Sequence, residues 1–66
     1  MPEHVVDERK LENALRGQKL PAWAVLPSAE GVQEQFRLYA PDDRFIGIYK
    51  WDEEAGKIVP VKVFLP

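Results

Sequence analysis

The chain has no cysteine, so neither a disulfide nor a thiolate zinc site holds it together. Its one histidine is His4. A histidine metal site or dyad needs partners, so His4 reads as an inert, solvent-exposed residue of an N-terminal tail. The four glycines, at 17, 31, 47 and 56, are too scattered for a phosphate-cradling loop. No apolar run approaches the roughly 20 residues that span a bilayer, and the polar start MPEHVVDERK is no signal peptide; a cytoplasmic protein with no membrane contact is expected. An excess of basic charge is missing too. Nine Lys and Arg face eleven Asp and Glu, for a formal charge of −2, whereas a free-standing nucleic-acid binder is commonly basic. If RNA is the ligand, the cations are gathered on one face or another domain supplies most phosphate contacts.

With 66 residues the chain forms one domain at most, burying about 60% of its unfolded surface, and has no room for a deep catalytic cleft. No serine, cysteine or histidine constellation for nucleophilic catalysis is present. Asp42-Asp43 and Asp52-Glu53-Glu54 read as solvated turns, because adjacent strand residues point to opposite faces. The chain on its own is therefore expected to be no enzyme, with no metal and no cofactor.

What is present is a β-hairpin. The run Phe45 to Leu65 has two apolar, β-branched and aromatic arms joined by an acidic tip ending in Gly56, the pattern of antiparallel pairing. Val32 to Ala40 supplies a third strand, with Val32, Phe36, Leu38 and Ala40 on one face, Glu34 being an exception, and Gln33, Gln35, Arg37 and Tyr39 on the other. Within Phe45 to Trp51 the period-2 reading puts Phe45, Gly47, Tyr49 and Trp51 on one face and Ile46, Ile48 and Lys50 on the other. Both faces are apolar, which predicts cover on two sides. Gly47 predicts a tight bend or bulge, and Pro60 a bulge or an unpaired position. Upstream, Asp7 is a helix N-cap, with Val6 and Leu11 as a hydrophobic staple and Lys10 where a capping box has Glu. Leu11, Ala14 and Leu15 make one apolar stripe and Gly17 stops the helix, giving about Glu8 to Arg16. Met1 to Val6 is too brief to assign beyond a possible edge strand. Trp23, Val25 and Leu26 are expected to plug the barrel or its mouth, and Ser28 to Gly31 is a loop.

Trp23, Tyr39, Tyr49 and Trp51 are chemically able to stack on unpaired bases. A small domain also needs large side chains inside; both tryptophans are assigned to the core, and Tyr39 stays open between the two roles. Most cations read as ordinary surface charge. The exception is Arg16-Gly17-Gln18-Lys19, where a helix end with open backbone and two cations can meet phosphate or a base edge.

The hairpin carries a recognisable pattern: Arg44-Phe45-Ile46-Gly47-Ile48, an acidic turn with Gly56, then Lys57-Ile58-Val59-Pro60-Val61-Lys62-Val63-Phe64. It resembles the C-terminal end of bacterial TruB-type tRNA pseudouridine synthases. A short helix ending at Gly17 before Gln18-Lys19-Leu20-Pro21 and the strand Phe36-Arg37-Leu38-Tyr39 are similar to the upstream order in that family. The resemblance implies an α+β, mainly β fold, a small PUA-like β-barrel with one short N-terminal helix, in which residues 1–66 form a single domain excised from the C-terminus of a larger enzyme. It implies an RNA-binding accessory role: docking the tRNA acceptor stem and 3′ end, weakly in isolation and as a monomer, while a separate catalytic domain isomerises the T-loop uridine. Gly17, Gln18 and Lys19 match the loop along the RNA-binding surface, and the expected RNA-contacting set is Arg16, Gly17, Gln18, Lys19, Arg37 and Lys62. The alternative is a structural module that packs on its catalytic domain without touching RNA.

Overall fold

The computed structural model describes residues 1–64. The chain runs β1 (Glu3–Val6), a 3-10 turn (Glu8–Lys10) leading into α1 (Leu11–Leu15), β2 (Leu20–Pro21), a second 3-10 turn (Ala22–Ala24), β3 (Val25–Leu26), β4 (Phe36–Tyr39), β5 (Phe45–Asp52) and β6 (Lys57–Val63). One six-stranded sheet results, in the order β2-β6-β5-β4-β1-β3. Its two edge strands are neighbours in sequence, and that forces the curl. Five gaps of about 4.8 Å would hold the edges some 24 Å apart in a flat sheet, yet the step from Pro21 to Val25 reaches at most ~14 Å. The expected curled, mainly β domain is therefore closed by the chain itself, through Ala22–Ala24, rather than by a continuous ladder.

The hairpin forms as its residues dictate. At its tip Asp52 Oδ1 accepts from the amides of Glu54 and Ala55, each at 3.1 Å, and the Gly56 amide returns to the Asp52 carbonyl at 2.8 Å; Gly56 takes φ 65°. The β4–β5 turn is set by Asp42, whose carboxylate accepts from the Arg44 amide and guanidinium and is held below the usual range by those bonds. Two bulges bend β5. Opposite β4 the register steps from Gly47 to Phe45 while β4 advances one residue, and opposite β6 it steps from Lys62 to Pro60 as β5 advances one. Gly47 and Pro60 thus stand where the sequence placed irregularity. A Cβ at Gly47 would collide with the Lys62 carbonyl oxygen and stand 3.0 Å from Val63 Cα.

Helix α1 lies against the inner face. Asp7 caps it, accepting from the Arg9 amide at 2.8 Å, and the first turn is 3-10 rather than α. Gly17, at φ 71°, ends it in a Schellman motif: the Gln18 amide bonds the Asn13 carbonyl and the Gly17 amide the Ala14 carbonyl, both at 3.0 Å. So short a helix depends on packing. Ala14 is buried, with Leu11 and Leu15 against the core of Val6, Leu20, Val25, Phe36, Leu38, Ile46, Tyr49 and Ile58. The Tyr49 hydroxyl donates to the Ala14 carbonyl at 2.8 Å, and burial pushes its pKa up to about 12.

Several expectations are corrected. Glu3–Val6 is no tail or edge: it lies inside the sheet, parallel to β4 and antiparallel to β3. His4 is accordingly buried, donating from Nδ1 to the Pro27 carbonyl at 2.6 Å with its ring 4.6 Å from Phe36. The third strand shrinks to Phe36–Tyr39. Of the three residues expected to plug the barrel only Val25 does; Trp23 and Leu26 are exposed. Phe45 turns outward, because the extra residue Ile46 shifts the alternation and pairs Phe45 with Tyr39.

Candidate nucleic-acid interface

Directly paired residues of neighbouring strands share a face, so the register defines rows across the outside of the curl. One row is Glu3, Arg37, Ile48 and Lys62. Arg37 and Lys62 are thereby brought to the same exposed surface, two strands apart. Glu3 sits 3.5 Å from the Arg37 guanidinium, both well exposed, so the pair is screened and leaves Arg37 accessible. The next row is Leu26, Val5, Tyr39 and Phe45, continued by Phe64. Ring centroids of Tyr39 and Phe45 are 5.5 Å apart, those of Phe45 and Phe64 5.3 Å, and Lys62 Nζ stands 5.1 Å over the Phe64 ring. The outer face thus sets two cations, Arg37 and Lys62, beside a row of three rings. This settles Tyr39 as an outward residue and leaves Tyr49 inside. The cover expected on the second face of β5 is not provided by α1, which packs within.

The loop from Arg16 to Lys19 lies elsewhere. A Cβ at Gly17 would stand 3.5 Å from Val63 Cγ2, and Val63 pairs with Gly47 on the face opposite to Lys62. Arg16 is bound to Glu12 at 2.9 Å across one helical turn. The Gln18 side chain accepts from Asn13 Nδ2 at 2.8 Å, which ties the loop to the helix. Gln18 and Lys19 are exposed. The six residues singled out in the sequence therefore form two groups, Arg16–Lys19 at the β2–β6 side and Arg37 with Lys62 on the outer face.

A third cationic feature escaped sequence reasoning. The Arg9 guanidinium lies 4.7 Å, and Lys10 Nζ 5.7 Å, from the ring centroid of Trp23. Two bonds of 3.0 Å from Arg9 grip the Asp7 carboxylate, holding that carboxyl below its usual range and raising the guanidinium. Nothing in the run AWAVL marks Trp23 as exposed, since the segment has no alternation to assign a face. The outer row of rings was equally hidden, because it exists only after the Ile46 bulge.

Among the described residues no group of three or more His, Asp or Glu is placed to hold a metal, and no helix is long and apolar enough to cross a membrane. An open depression of about 370 Å³ is lined by Glu3, Val5, Leu26, Pro27, Tyr39 and Asp43, at the end of the apolar row.

A family model described as pseudouridine synthase II TruB, C-terminal, matches residues 2–64. No curated protein and no solved structure gives a significant match. The match takes in the capped helix, the bulged sheet and the whole β5–β6 hairpin rather than one motif, so the chain belongs to the family of TruB pseudouridine synthase C-terminal domains, with an accessory role in a tRNA pseudouridine synthase.

Proposed function

We propose that this PUA-like domain, residues 1–66, docks tRNA for the catalytic domain of its parent chain. It contacts the acceptor stem and 3′ end through Arg16, Gly17, Gln18, Lys19, Arg37 and Lys62 while the catalytic domain isomerises the T-loop uridine. The domain is a cytoplasmic monomer that performs no chemistry and uses no cofactor. The observation that supports this most is the pairing of Arg37 with Lys62 in one exposed row beside Tyr39, Phe45 and Phe64. Cations beside rings suit phosphates and unpaired bases together. The net charge of −2 makes the grip weak, and tethering to the catalytic domain makes a weak grip useful by raising its effective concentration.

Salt tests it. If Arg16, Lys19, Arg37 and Lys62 each displace a counterion, the slope of log K against log salt is about −3.6, a loss of about 150-fold between 50 and 200 mM. Reversing Arg37 and Lys62 to Glu cuts that slope at least by half. A salt-independent affinity, or a slope untouched by the reversal, refutes the assignment.

A second reading is favoured by Leu26, Phe64 and Val5, which are 65%, 50% and 38% exposed on the same outer face. In that reading the apolar row packs on the catalytic domain and RNA is not touched. It requires NMR shifts on adding the catalytic domain to exceed those on adding RNA, and indifference to that partner excludes it.

A further inference from the structure

Trp23 is left unexplained by the docking residues. It is one of two tryptophans in the chain, and an indole buries more apolar surface than almost any other side chain, yet 50% of it is exposed. The backbone holds it outward. Its neighbour Ala24 is fully buried, and the Ala24 carbonyl accepts from the Asp7 amide at 2.6 Å, so the Ala22–Ala24 turn is anchored to the start of the helix. The same anchor brings up the cations. Arg9 is clamped by Asp7 with its guanidinium 4.7 Å from the ring centroid, and Lys10, at 5.7 Å, has no carboxylate within ion-pair distance among the described residues. The product is a flat, half-exposed aromatic surface with a preset positive margin.

Its neighbourhood narrows the ligand. Arg9 and Lys10 border the ring with charge, so it is no contiguous apolar patch of the kind that docks a protein. Trp23 is four residue steps along the chain from Lys19, at most ~14 Å. A strand held at Arg16–Lys19 therefore reaches the indole. We propose that Trp23, with Arg9 and Lys10, is a stacking platform for one unpaired nucleobase of RNA, with Lys10 meeting an adjoining phosphate. Every base has a π-face, so the platform is indifferent to base identity. The proposal rests on the reading that the domain docks RNA.

The test uses the 66-residue chain carrying Trp51→Phe, so that Trp23 is the sole indole reporter, and two RNA hairpins of one sequence, blunt or bearing a short unpaired 3′ tail. The tailed hairpin is expected to bind more tightly and to quench Trp23 fluorescence. Trp23→Ala should weaken the tailed complex about 5- to 150-fold and leave the blunt one unchanged, while Trp23→Phe retains much of the affinity. If Trp23→Ala lowers the folded fraction, Trp23→Phe and Lys10→Glu carry the comparison. Equal affinity for both hairpins, with no effect of Trp23→Ala, overturns the platform and leaves RNA docking standing. Binding of neither hairpin by the 66-residue chain with Trp23 in place overturns both.

Discussion

Replacing Tyr49 by Phe probes a polar contact buried inside the curl. The hydroxyl donates to the Ala14 carbonyl across the barrel at 2.8 Å. That carbonyl also accepts from the Gly17 amide at 3.0 Å, so Tyr49→Phe does not orphan it, and the cost falls near the ordinary value of a hydrogen bond, about 1 kcal/mol. In a domain of this size that lowers the melting temperature by roughly 4 to 8 °C near neutral pH. The pH dependence is more telling. Burial raises the phenol from 10.0 to about 12, so between those values the unfolded chain releases a proton that the folded chain keeps. Stability is then complete below pH 10 and falls by about 1.4 kcal/mol per pH unit until about 12. The Phe variant lacks this limb. Urea denaturation from pH 7 to 12 should show wild type ahead by about 1 kcal/mol at neutrality and the two curves meeting near pH 11. Parallel curves across the whole range would refute the buried, donating phenol.

Two glycines give further tests. Gly47→Ala drives a Cβ into the Lys62 carbonyl, backbone against backbone, so the β5–β6 pairing must shift; a loss above about 2 kcal/mol is expected in urea denaturation, and a change below 0.5 would contradict the close approach. Gly17→Ala meets only Val63 Cγ2 at 3.5 Å but keeps φ 71°, so its cost in urea denaturation should be the left-handed strain alone, about 1 kcal/mol.

What the sequence made legible was local. The Asp7 cap, the Gly17 stop, the Asp52–Gly56 tip and the irregularity at Gly47 and Pro60 each follow from one residue's own chemistry. Illegible were the pairings between segments far apart. Four residues at the N-terminus carry too little pattern to announce a parallel strand beside β4, and with it the burial of His4. Gly47 marks the bulge without showing that its neighbour Ile46 is the extra residue, and one residue of slip sends Phe45 to the opposite face. That slip creates the row of rings on which the outer surface depends. Trp23 was misassigned for a related reason: burial of Ala24, the smaller neighbour, fixes the turn and leaves the larger side chain outside.

The central claim, that a folded accessory domain carries the RNA contacts, is tested most directly by NMR titration of this chain with a tRNA acceptor-stem hairpin at low salt. Shifts are expected at Arg16 to Lys19, Arg37 and Lys62 that fade as salt is raised, while Tyr49 and the inner face stay still. An absence of shifts at Arg16 to Lys19 in low salt, alongside large shifts on adding the catalytic domain, would contradict it.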